Sequence, residues 1–203
     1  MTTVLGNMSL AFKDLATATA NQDMEVVRFA QACSSITSVA QQLGPIFYFA
    51  LLDFGVKVAG ISEASRSFRT LKSMMEADIQ QNNVRTAGSH SSNLLMVKRV
   101  IEMVKILFEQ IVATNYDDKG DNSLISQGLV AYKMVFTQHN EAELQATVAS
   151  FSHFIPTKAE LLAILEEDEA SIIAKMRMFV EAATPISRYI NNLFVSRGLG
   201  LDW

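Results

Sequence analysis

The stretch AGSHSSNLLMVKRVIEMVKILFEQIVA, residues 87–113, decides the fold class. Leu94, Val97, Ile101, Val104 and Phe108 recur at steps of three and four, the period that lines one side of an α-helix with core residues. Leu95, Arg99, Glu102, Ile106 and Glu109 follow the same rhythm. Elsewhere no segment alternates apolar and polar residues between hairpin turns, so a sheet has no support. With only 9 Gly and 3 Pro in 203 residues, few positions interrupt a helix. The chain reads as all-α.

Working outward, the periodicity predicts a helix over 9–18 and a second after Asp23, which carries Val26, Val27, Phe29, Ala30, Cys33 and Ile36. Gly44 and Pro45 punctuate the chain and open a third, interrupted at Ser62 and Ser65. ASRSFRTLKSMMEADIQ, residues 64–80, continues helically through Leu71, Met74 and Met75. Beyond the long helix, further helices are predicted at 124–136, 140–153, 158–180 and 185–196, with Thr157 as an N-cap and Pro156 and Pro185 as breaks. No linker or repeat divides the sequence, so residues 1–203 are read as one domain.

Composition narrows the function. The 17 Lys plus Arg against 21 Asp plus Glu leave a formal charge of −4 with no basic stripe, which argues against a nucleic-acid partner. The single cysteine, Cys33, excludes an intrachain disulfide and suits a reducing, cytoplasmic setting. Residues 1–20 have no signal-peptide pattern. His90, His139 and His153 share no metal-ligand spacing, and no nucleophile elbow, phosphate loop or dinucleotide fingerprint is present. The acid run in TNYDDKGDNS, 114–123, fails as a calcium loop: counted from Asp117, Asn122 stands where Gly is needed and Gly128 where a bidentate Glu is needed. LEEDEAS, 165–171, reads as a solvated helix face. Neither an enzyme nor a cofactor is expected.

One segment stands apart. PIFYFALLDFGVKVAGI, 45–61, is nearly all apolar but carries Asp53 and Lys57. Acid four residues before base is the favourable order for a helical pair. Phe47, Tyr48, Phe49, Leu51, Leu52, Phe54 and Val56 leave no polar face to hold them. Either both heads reach water, as a structural ion pair at a rim, or they form a ligand site. The 12 Phe and 10 Met, with 49% hydrophobic residues and a mean hydropathy of +0.18, are compatible with an adaptable apolar interior.

AFKDL (11–15), LLDFGVKV (51–58), VRTAGSHSSNLLMVKRVIEMVKILFEQI (84–111), GDNSL (120–124), LLAILEEDEA (161–170) and NNLFVSRGLGLDW (191–203) together resemble the glycolipid-transfer-protein superfamily, most closely its plant accelerated-cell-death branch of ceramide-1-phosphate carriers. The resemblance implies a two-layer sandwich of about eight helices around a sphingolipid tunnel. It implies that Asp53 accepts from the sphingoid amide and hydroxyl and that Lys57 meets the headgroup. It also exposes departures. Ser92 and Met96 stand where that branch has two phosphate-clamping arginines. Asn140 stands where the family has a histidine before Gly-Trp, with His139 beside it as a substitute shifted by one. Arg99, three residues beyond Met96, offers a displaced basic contact. Two functions follow: a cytosolic carrier with transient membrane contact, or a lipid sensor or scaffold that kept the fold and works through a protein partner.

Overall fold

The computed structural model describes residues 3–44, 47, 51–113, 124–135 and 156–203. Among them are eight helices: α1 (Val4–Thr19), α2 (Val26–Leu43), α3 (Leu52–Ala64), α4 (Leu71–Gln80), α5 (His90–Ala113), α6 (Ile125–Val135), α7 (Lys158–Leu165) and α8 (Glu169–Val195). The calcium-loop test at 114–123 and the helix read at 140–153 fall outside the described residues, as do His139, Asn140 and His153.

Caps set most boundaries. Thr3 accepts from the Gly6 amide at 3.2 Å, so α1 starts five residues before the expected Ser9. Glu25, not Asp23, occupies the N-cap position of α2, and Gly44 ends that helix at φ +115°, a conformation that favours glycine. Helix α3 runs through Ser62 and stops after Ala64. The segment after it is not helical as expected: Val26 N–H donates to Arg69 O at 3.0 Å and Leu71 N–H to Met24 O at 2.9 Å, which ties this connection to the one between α1 and α2. Thr70 and Ser73 then form a capping box for α4. Ser89 accepts from Ser92 N–H at 3.1 Å and the buried Asp78 carboxylate from Ser91 N–H at 2.6 Å, which together satisfy the N-terminus of α5. Thr157 caps α7 as expected, in a box with Glu160.

Glu166, Asp168 and Glu169 of the acid run 165–171 are exposed as expected, but the run is a junction between two helices and not one helix face. Glu166 takes a left-handed φ of +55°, Asp168 caps α8 by accepting from Ser171 N–H at 2.9 Å, and the Glu167 side chain is only 6% exposed. Glu167 pairs with Lys175, whose Nζ also donates to Thr3 Oγ1 at 3.1 Å, so the start of α1 is bound to the start of α8. Burial pushes the Glu167 carboxyl up, but hydrogen bonds from Lys175, Thr3 and Ser171 and the Lys175 charge outweigh it and hold the group below its usual 4.5. Because the folded-state value is depressed, this contribution to stability is present above about pH 4.5 and lost as pH falls through the lower folded value. The parent chain should therefore out-melt Glu167→Gln at neutral pH and lose that advantage only in acid. Thermal melts of both between about pH 3 and pH 7 check it.

Packing closes a ring: α1 lies against α2 and α8, α2 against α3, and α5 against α3 and α8, while α4 and α6 attach to α5 and α7 to α2. Inside it Phe12, Phe29, Phe179, Phe194, Met8, Met24, Met74 and Met75 are fully buried. Phe179 joins three helices, with ring centroids 4.6 Å from Phe12 and 5.4 Å from Phe108. Cys33 is buried as expected, and burial pushes its thiol well above the ordinary value, which makes it unreactive. Among the described residues no helix is long and apolar enough to cross a membrane, and no group of His, Cys, Asp and Glu has metal-binding geometry.

Candidate functional site

Helix α3 presents its charged pair at the surface. Lys57 Nζ lies 2.6 and 2.7 Å from the two Asp53 carboxylate oxygens. The Asp53 side chain is 73% exposed and that of Lys57 21%. The helix is not apolar all round in the buried sense: Phe54, Val58 and Ile61 face the core, whereas Leu52 and Val56, the latter 71% exposed, share the solvent side with Asp53. An ion pair thus sits beside uncovered hydrocarbon on the solvent side of α3.

Helices α3 and α5 come close where Gly60 faces Asn93: a Cβ at Gly60 would stand 3.1 Å from Asn93 Nδ2. Lys57, Ser92 and Met96 each lie within three residues of that crossing, hence within about one helical turn, or ~5 Å, of it. Ser92 and Met96 are both partly buried. No hydrogen bond among the described residues joins them to Asp53 or Lys57, so what the structure brings together here is helices, not a bonded network.

Arg99 is committed elsewhere. One of its nitrogens, Nη2, donates to the main-chain oxygens of Leu201 and Trp203 at 2.9 and 2.8 Å, and Nη1 lies 3.4 Å from Met96 Sδ. The C-terminal segment turns back at Gly198 and Gly200, both in left-handed φ. Arg85 stacks over the Trp203 ring at 5.5 Å and donates to Leu199 O, and the indole N–H donates to the same oxygen at 2.9 Å. The other cations of α5 are also paired, Lys98 with Glu102 at 2.8 Å and Lys105 with Glu109 at 3.3 Å. Sequence reasoning missed this clasp because its partners lie about a hundred positions apart.

Behind the ring's helices lies a wholly apolar cavity of about 100 Å³, lined among others by Leu5, Leu43, Phe47, Phe108, Leu165 and Met176. Phe47, six residues before Asp53, contributes to this lining, whereas no residue of α3 does.

The sequence profile of the glycolipid transfer protein (GLTP) family matches residues 24–167. The chain is 41% identical over 201 residues to Accelerated cell death 11 of Arabidopsis thaliana, covering 98% of this chain and 96% of the relative. The chain belongs to the glycolipid transfer protein family. Two solved structures of Arabidopsis accelerated-cell-death 11 complexed with ceramide-1-phosphate, variants with one Asp replaced by Asn or by Ala, each superpose with a TM-score of 0.88 at 40% identity. They cover 99% of this chain and 98% and 100% of those chains. Human ceramide-1-phosphate transfer protein, at 14% identity, shares the fold with a TM-score of 0.83 over 100% of this chain and 99% of its own. The family fold is the two-layer all-α sandwich that the resemblance implies, and the eight described helices build it.

Proposed function

We propose that the chain is a carrier and not an enzyme. It extracts a single-headed sphingolipid, ceramide-1-phosphate or a close relative of it, from one bilayer and delivers it to another, working in the cytoplasm with transient peripheral membrane contact. The observation that carries this reading is the surface carboxylate–ammonium pair of Asp53 and Lys57 in a chain about two-fifths identical to a protein solved with ceramide-1-phosphate; an apolar cavity inside the same chain supports it. An amide or hydroxyl entering apolar surroundings requires a matched acceptor, and a carboxylate supplies a charge-assisted one. Leu52 and Val56 give the site an apolar rim suited to the bilayer from which the ligand comes. Loading must enlarge the cavity, and its Phe, Leu and Met lining is the kind that repacks.

Headgroup selectivity is altered. Ser92 and Met96 carry no charge, Arg99 is held by the C-terminal segment, and Lys57 is shared with Asp53, so a phosphate finds fewer dedicated partners than a pair of arginines would provide. Each charge-assisted bond is worth about 1.5–3 kcal/mol. Ser92→Arg combined with Met96→Arg should therefore raise the preference for ceramide-1-phosphate over ceramide by about tenfold or more. An unchanged ratio would place the headgroup elsewhere.

The test of the function is mass spectrometry of lipid extracted from the purified protein together with vesicle-to-vesicle transfer of ceramide-1-phosphate, ceramide and glycerophospholipids. Bound sphingolipid and its transfer support the carrier. A protein that arrives empty and transfers nothing supports the sensor or scaffold.

A further inference from the structure

Helices α3 and α5 run antiparallel. Phe68, just past the end of α3, sets its ring 5.6 Å from that of His90, the first residue of α5, and further in Gly60 of α3 meets Asn93 of α5. Each step back along α3 is therefore a step forward along α5. Lys57 precedes Gly60 by three residues and Met96 follows Asn93 by three, so both lie on the same side of the crossing. A spacing of three also keeps each on the face of its helix that looks toward the other, in line with the partial burial of both. Asp53 stands one turn farther out, opposite the turn of α5 that carries Arg99.

The helices approach closely at this crossing because position 60 has no side chain. A Cβ there would stand 3.1 Å from Asn93 Nδ2, tighter than ordinary van der Waals contact, whereas Gly55 on the same helix meets nothing within 4 Å. Asn93 has little room to retreat. It is buried, and its Nδ2 donates back to Gly88 O at 3.4 Å, in the turn that opens α5. Swinging that amide away would leave a buried donor without a partner. Nor can Lys57 follow a displaced neighbour, since both Asp53 oxygens hold its Nζ on its own helix.

We infer that Gly60 and Asn93 are positioning residues whose contact fixes the gap between Lys57 and Met96, and through it the size of headgroup the protein accepts. This deepens the carrier reading above and rests on it. Any group added at the contact pushes the two helices apart by a few tenths of an ångström. A headgroup that bridges them then loses reach to one wall, and a bulkier one gains room. Misplacing a bound group by about 1 Å costs about 100-fold, so a third of that costs roughly fivefold if the loss scales evenly with distance.

The experiment compares vesicle transfer of ceramide-1-phosphate with that of sphingomyelin, whose phosphate is esterified with choline and is the bulkier headgroup. The protein is tested as the parent chain, as Gly60→Ala, as Asn93→Gln, and as Gly60→Ala with Asn93→Ser. Gly60→Ala should raise the ratio of sphingomyelin to ceramide-1-phosphate transferred at least about threefold. Asn93→Gln pushes from the opposite wall and should shift the ratio the same way, which serves if Gly60→Ala fails to fold. Asn93→Ser removes the atom that the new Cβ meets, so the double variant should return to the parent's ratio. Loosened packing alone would lower transfer of both lipids together and leave the ratio where it was. Natively folded Gly60→Ala or Asn93→Gln with the parent's ratio overturns the inference and leaves the carrier intact, as does a raised ratio that Asn93→Ser fails to restore. A parent that carries no sphingolipid of either kind overturns both.

Discussion

Asp53→Ala is expected to cut lipid uptake at least about tenfold while the helical circular dichroism stays unchanged. The two effects separate because their magnitudes differ. In the free protein the carboxylate is 73% exposed and bonded only to Lys57, four residues on along the same helix. Such a pair stabilises an exposed helix by about 0.3–0.5 kcal/mol, less than a degree or two of melting temperature in a chain of this size. Against a ligand amide and hydroxyl in water-poor surroundings, the same group contributes about 1.5–3 kcal/mol, or roughly 10- to 150-fold in affinity. Asp53→Asn keeps an acceptor of the same shape without the charge and should fall between. Unchanged uptake by a natively folded Asp53→Ala protein would remove Asp53 from the site and leave Asp53–Lys57 as a rim ion pair.

The largest loss of stability is expected at Phe179. Its ring is fully buried and stacks against Phe12 of α1 and Phe108 of α5, so one side chain pins three members of the helical ring. Phe179→Ala should cost about 3–5 kcal/mol, combining the lost burial with the void left behind. For a chain of about this length that corresponds to a fall in melting temperature of roughly 6–20 °C. It is also a large share of the ~5–15 kcal/mol a folded domain commonly has. Urea unfolding should show a lower midpoint with an unchanged slope. An unfolding free energy within about 1 kcal/mol of the parent's would mean that the three helices are held together by other contacts. Phe108 also lines the apolar cavity, so the void opens next to it; bound lipid should recover part of the loss in Phe179→Ala by mass action.

Much of this architecture was legible because local signals and packing agree. The stripe of α5 is buried at Leu94, Val97, Ile101 and Phe108 as its spacing requires, and Thr157 caps α7 through its own hydroxyl. Pro185 was misread as a break. It stands inside α8, on the exposed side, where water can reach the Glu181 carbonyl that the missing N–H leaves free, while Ala182, Ala183 and Ile186 hold the turn against the core. The break that does exist, at Glu166, has no Gly or Pro to announce it. Its signal was Asp168 three residues before Ser171, hidden in a run of acids. For the site, spacing revealed that Asp53 and Lys57 pair, but not which side of α3 faces water. That side is fixed by α2 and α5, so the exposure of Leu52 and Val56 had no local cause to read. The capture of Arg99 by the C-terminal carbonyls was out of reach for the same reason.

Trp203 is the only tryptophan in the chain, and it is packed beneath the Arg85 guanidinium, 6.1 Å from the Phe194 ring and bonded through its indole to Leu199. The protein thereby carries its own optical label at one known place. Emission excited through the indole reports the last eight residues and their hold on Arg99, while circular dichroism reports the helices. Attachment of this segment can be timed in the unmodified protein, apart from global unfolding, as vesicles or lipid are mixed in.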